Sequence, residues 1–243
     1  MANPNVRSGL LPASGGRKPS GRGRFPLAGF ALAVAGVVAY RAAFRPWHRR
    51  WGATDEEVAR PLPGDDLVDN PNYSSTRALT IAASPESVWP WLVQIGQGRG
   101  GFYSYDWLEN AVGLGIRSAD HVVEDLQTLK VGDIIAVEPE GNGYSVIAVE
   151  PNALLLLFTD GRNGPGALND HFRQVGMAST WAFVLTLTPE GGTRLLVRWR
   201  ARYDYLRSGV PLAYLIGPLL EPVEFLMERQ MLLGLRQRAE GGA

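Results

Sequence analysis

At 243 residues with 45% hydrophobic content, the chain is long enough to bury one sizeable core, and its formal charge is zero. That balance hides a split. Every charged residue among the first fifty is basic (Arg7, Arg17, Lys18, Arg22, Arg24, Arg41, Arg45, Arg49 and Arg50), so the remainder is net acidic and no nucleic-acid partner is expected of it. The lack of cysteine excludes disulfides and thiolate metal sites.

Residues 1–24, rich in Gly, Pro, Ser and Arg, cannot bury enough apolar surface to order themselves and are expected to form a disordered basic tail. The apolar run 25–44 would reach roughly 30 Å if all of it were helical, the thickness of a hydrocarbon core, and is expected to be a transmembrane anchor. A secretory signal peptide and a helix lying on the domain are the competing readings. Arg41, Phe44 and Arg45 stand where a cleavage site would need small residues. Trp47 and Trp51 among arginines suit a membrane interface, and the tighter basic cluster after the run favours a single-pass protein with its domain on the cytoplasmic side. Residues 45–74, acidic and punctuated by proline, are expected to be a linker strapped over the surface.

From there the folded domain is expected over 75–238. The pattern predicts a strand over 75–81 and a helix over 84–95, with Ser84 as N-cap and Pro85 at the first helical position. Pro90 should kink it. A second helix is predicted over 104–112, ended by Gly113. Strands follow over 133–137, 144–149, 154–159, 180–188 and 194–203, separated by the turn signals EGNG, EPNA and PEGG. No helical pattern interrupts them, so the sheet should be antiparallel. A long helix opens at Glu221, with Val223, Leu226, Met227, Gln230 or Met231, and Leu233 or Gly234 on its packed face and Glu224, Glu228, Arg229 and Arg236 opposite. The apolar stretch before it, 210–220, is too short to span a bilayer and reads as core.

Residues 89–110, WPWLVQIGQGRGGFYSYDWLEN, contain the most specific pattern. Gly96, Gly98 and Gly101 have the spacing of a dinucleotide-binding turn, but a helix and not a strand feeds them, so no such cofactor is expected. Aromatics beside glycine-rich backbone suit the mouth of an apolar pocket, because glycine lets the chain approach a ligand closely. The expected ligand-binding set is Trp91, Arg99, Tyr103, Tyr105, Trp107, Trp181 and Phe183, closed by the turn 96–101; the alternative is that these aromatics are ordinary core. In the strand 194–203, Arg194, Arg198, Arg200 and Arg202 share one face, which reads as outward and solvated; pointed into the sheet's concavity instead, they would recognise an anionic head group.

The order strand, two helices, antiparallel strands and a long last helix resembles the helix-grip fold of the START and birch-pollen-allergen superfamily, SRPBCC. SPESVWPWLVQI resembles that family's first strand-to-helix passage. HRRWGATDEEVARPLPGDDLV followed by QIGQGRGGFYSYDWLEN is similar to a membrane-anchored, actinobacterial-type, polyketide-cyclase-like branch. The resemblance runs over about residues 45–238 and implies an α+β fold in which a curved antiparallel sheet wraps the C-terminal helix, preceded here by the transmembrane helix. It implies a hydrophobic small molecule or lipid held between sheet and helix.

His48, His121 and His171 stand apart with no partner at ligand spacing, so no metal site is expected. No GxSxG elbow is present to supply a nucleophile. The remaining acid–base candidates are Asp106, Glu109 and His121. Two functions follow: a membrane-tethered binding domain, or a cyclase or dehydratase acting on an aromatic polyketide-like substrate, as the resemblance allows. A surface module meeting a protein partner is a third reading.

Overall fold

The computed structural model describes residues 25–161, 176–203 and 213–241; the expected basic tail and His171 lie outside them. The chain divides into two compact units, Met1–Ala43 and Phe44–Ala243. In the first, helix α1 (Phe25–Ala39) is built from an uninterrupted apolar run, and Phe30, Leu32, Val34, Val37 and Val38 are exposed. The expected continuous span over 25–44 is not what forms. The α-helix stops after 15 residues and passes into a π-helical turn, Tyr40–Phe44, that carries Arg41. Among the described residues no helix is long and apolar enough to cross a membrane.

The second unit begins well before the expected domain boundary. Helix α2 (Arg45–Arg49), with Pro46 in its first turn, buries His48 completely against the rings of Phe44 and Phe225. Helix α3 (Asp55–Ala59) starts at a capping box in which Thr54 and Glu57 satisfy each other's backbone amides. Residues 45–74, expected as a linker strapped over the surface, thus contain two short helices and the start of the first strand.

Six strands follow: β1 (Tyr73–Ile81), β2 (Ile134–Ala136), β3 (Gly143–Glu150), β4 (Leu154–Asp160), β5 (Ala178–Leu187) and β6 (Thr193–Arg202). They form one antiparallel sheet in the order β1-β6-β5-β4-β3-β2, so the first strand closes against the last. Each lies within two residues of its expected position. Period-two alternation sorts the side chains. Leu79, Ile81, Val146, Leu155, Leu157, Phe183, Leu185, Leu195 and Val197 share the inner face and the main core. Helix α4 (Pro85–Val93) supplies Val88, Trp91 and Leu92 to it, and Pro90 sits inside this helix.

The last helix, α6 (Ala213–Gly241), covers the same face with Met231, Leu232 and Leu235. It starts earlier than Glu221, and its packed face is only partly the expected one. Met231 is buried as expected, together with Phe225, Glu228, Leu232, Leu235 and Ala239, whereas Val223 and Leu226 are about half exposed. Two acids, Glu221 and Glu228, are therefore on the inside because each finds a cationic partner there, Arg45 and Arg77 respectively. The arrangement is α+β of helix-grip type: a sheet laid against its C-terminal helix.

The outer face of β6 carries the arginines as expected, but it is covered rather than solvated. Arg198, only 5% exposed, donates to Thr76, Asp65 and the carbonyls of Glu57, Val58 and Arg60. Arg194 forks onto both carboxylate oxygens of Glu57 at 2.8 and 2.7 Å. Leu62 fills a small apolar patch with Ala78 and Leu196. The strap 51–70 is bolted down by these contacts.

Candidate functional site

Between the inner face of the sheet and α6 the packing is incomplete. A cavity of about 410 Å³ remains, within the usual size of small-molecule sites. The sheet contributes Tyr144, Trp181 and Trp199, with Val137, Met177 and Tyr203 from the strand ends; α6 contributes Glu224, Met227, Glu228 and Met231. The fourth side is Phe102, Ser104, Glu109 and Leu114, which come from the loop after α4 and from the short helix α5 (Asp106–Ala111).

The glycine turn explains how that loop is placed. Gly96 and Gly101 bridge each other, and Gly96, Gly98 and Gly101 all have positive φ. A Cβ on Gly101 would stand 2.8 Å from the carbonyl oxygen of Arg117. The GxGxxG spacing thus serves a tight reversal that turns the chain from α4 towards α5. Arg99 locks it, donating to the carbonyls of Val93, Ile95 and Leu126. Its guanidinium is used by backbone and is not among the cavity-lining groups.

The other expected site residues divide. Trp181 lines the cavity and donates its indole N–H to Glu228 Oε1 at 3.0 Å. Phe183 lies beneath it, ring centroids 4.8 Å apart, fully buried in the core. Tyr103 and Trp91 pack edge-to-face, and the Tyr103 hydroxyl donates to the Trp91 carbonyl at 2.9 Å; neither lines the cavity. Tyr103 is held at φ 58° with Gly234 of α6 against its backbone, where any side chain would collide. Tyr105 lies outside the lining, and Trp107 is 71% exposed on α5. Helix phase decides the last case, since α5 has only one buried residue, Glu109.

The three acid–base candidates do not converge. Asp106 accepts from the amide and hydroxyl of Ser118 and ties two loops together. His121 is exposed and pairs with its neighbour Asp120 at 2.7 Å. Glu109 alone lies in the cavity wall, and burial, aided by Asp106 and opposed by Ser104, pushes its carboxyl above the usual carboxylate range. Among the described residues no group of His, Asp and Glu is assembled for a metal.

Beneath Trp181 lies an ionic group the sequence did not single out. Arg77, fully buried on β1, forks onto Glu224 at 2.6 and 2.9 Å, also donates to Glu228, and reaches the His48 carbonyl. The Tyr73 hydroxyl donates to Glu224 at 2.6 Å. Burial works against the Arg77 charge, but the two glutamates outweigh it and hold the guanidinium protonated. Burial raises the Glu228 carboxyl, and Arg77 pulls it back only in part. A signal was present. Alternation puts Tyr73, Ser75, Arg77, Leu79 and Ile81 on one face, so a charge sits among core positions, and Glu224 and Glu228 are one helical turn apart.

No family model matches the chain, and no curated protein does. Solved structures do overlap it. A Mesorhizobium loti protein is 19% identical, covering 70% of this chain and 99% of its own, with a TM-score of 0.39. A conserved protein from Geobacillus kaustophilus is 13% identical over 70% and 97%, TM-score 0.37. A truncated norcoclaurine synthase from Thalictrum flavum is 12% identical over 68% and 91%, TM-score 0.38. The scores are low, so the helix-grip assignment rests on the strand order and on α6.

Proposed function

We propose that the unit from Phe44 onward binds a hydrophobic small molecule or lipid in the cavity between sheet and α6. One observation carries this reading: an aromatic and methionine-lined space of about 410 Å³ left open inside an otherwise packed core. The test is binding of a neutral apolar fluorophore such as N-phenylnaphthylamine to the full chain. Trp181→Ala should weaken it by about 1 to 3 kcal/mol, the scale of one buried side chain, while Trp107→Ala on the exposed side of α5 leaves it unchanged. Equal binding by wild type and Trp181→Ala would place the fluorophore elsewhere.

A second reading, acid–base catalysis of the cyclase or dehydratase type, is favoured by Glu109 alone, a carboxyl with raised proton affinity in an apolar wall. It requires that Glu109→Gln lower turnover of a bound ligand by about 10² to 10⁴ while binding persists.

The tether is proposed on the exposed apolar surface of α1 and the arginines that follow it, Arg41, Arg45, Arg49 and Arg50. A cytoplasmic side for the domain follows from those arginines.

A further inference from the structure

Within the binding reading proposed above, we infer that the cavity selects an organic cation, specifically a protonated amine on an apolar body, with the ammonium held at Glu109. Three carboxylate residues, Glu109, Glu224 and Glu228, line the cavity, and its described lining includes no Lys, Arg or His. Arg77, behind the wall, pairs with two of them and spends its Nε–H on the His48 carbonyl. Those two are closed off: Glu224 also accepts from Tyr73, and Glu228 from Trp181. Glu109 is different. It is 7% exposed, and its Oε2 is buried with no hydrogen-bond partner among the described residues. An acceptor left in that state carries an uncompensated desolvation cost, larger if charged, unless a donor arrives with the ligand.

The rest of the wall fits a cation better than a neutral donor. Four aromatic residues, Phe102, Tyr144, Trp181 and Trp199, line the space, and aromatic rings attract a cation through their π-electrons, while Met227 and Met231 supply polarizable apolar surface. An anionic head group would meet three acids and no described cation. The orphaned oxygen calls for an N–H, which a primary ammonium has and a quaternary one lacks.

The experiment displaces N-phenylnaphthylamine from the full chain at neutral pH with three ligands of equal chain length: decylamine, decanol and decanoate. Decylamine should bind about tenfold tighter than decanol, on the scale of one charge-assisted hydrogen bond, and decanoate weakest. Glu109→Gln should bring decylamine to the decanol level and leave decanol within about twofold of wild type. Decanol binding as well as decylamine, or decylamine indifferent to Glu109→Gln, overturns the cation assignment while leaving the apolar cavity standing. No binding by the fluorophore or by any of the three ligands overturns both. If Glu109→Gln does not fold, the ranking of the three ligands on wild type decides.

Discussion

Arg77 is the residue on which the interior most depends. It is wholly buried, two carboxylates converge on it, and the ring of Phe225 lies 5.1 Å from its guanidinium carbon. Arg77→Met keeps much of the volume but strands Glu228 in the core, so it should destabilise the domain by about 3–5 kcal/mol at neutral pH. The pH dependence has a definite sign. Burial already raises Glu228, and without the guanidinium it rises further; the folded variant then holds a proton at pH values where the unfolded chain has lost it. Its stability is fully present below the ordinary glutamate pKa of 4.5 and falls as pH climbs through the raised value. Thermal melts of Arg77→Met should therefore approach wild type near pH 4 and diverge at pH 7. Adding Glu228→Gln should recover part of the loss, and a double variant no better than the single one would show that the pair is not coupled.

At the scale of elements, the strap 51–70 is held to the outer face of β6 chiefly by two arginines. Arg198→Leu removes the donor that three strap carbonyls share, so it should cost about 2–4 kcal/mol. The loss should be local: hydrogen exchange of the amides in 54–65 should accelerate while those of β4 and β5 stay protected. Uniform loss of protection would make the strap part of the global folding unit instead. The second arginine gives an acid limb. The Arg194 guanidinium holds Glu57 down at about 2, so this contribution is present above the usual glutamate range and is lost as pH falls from 4.5 towards 2. In Glu57→Gln the strap should exchange faster at pH 7 and differ little from wild type near pH 2.

For the whole molecule, the distribution of apolar surface is the main fact. The unit Phe44–Ala243 has a buried apolar core between sheet and helix, whereas α1 leaves Phe30, Leu32, Val34, Val37 and Val38 exposed along a single 15-residue helix. In vesicle flotation the full chain should rise with bilayers containing phosphatidylglycerol and should not be released by high salt, while a chain beginning at Phe44 stays at the bottom. Release by salt would assign the attachment to the arginines alone. Flotation of the shorter chain would move the membrane contact onto the domain itself. The cut belongs at Phe44, because His48 packs on both Phe44 and Phe225 and Arg45 pairs with Glu221.

By itself the sequence determined what is local. Alternation in 178–187 and 193–202, the turn residues between strands, and the helical period of α4 and α6 set the kind and order of elements, and these require neighbours only along the chain. It also singled out two residues of the wall, Glu109 and Trp181, the second at a position that survives folding because Trp181 alternates with core residues on β5. The packed face of α6 was decided elsewhere. A period of 3.6 specifies an apolar stripe, but Glu228 could enter that stripe only because Arg77, 151 residues earlier, waits opposite it. The same holds for Tyr103, Trp107 and Arg99. Their side chains are the right types for a pocket, yet the register of a tight glycine turn and the phase of a six-residue helix put one in the core, one in solvent and one on backbone carbonyls. The cavity is what remains when residues distant in sequence fail to fill the space between sheet and helix, and no local pattern encodes a void.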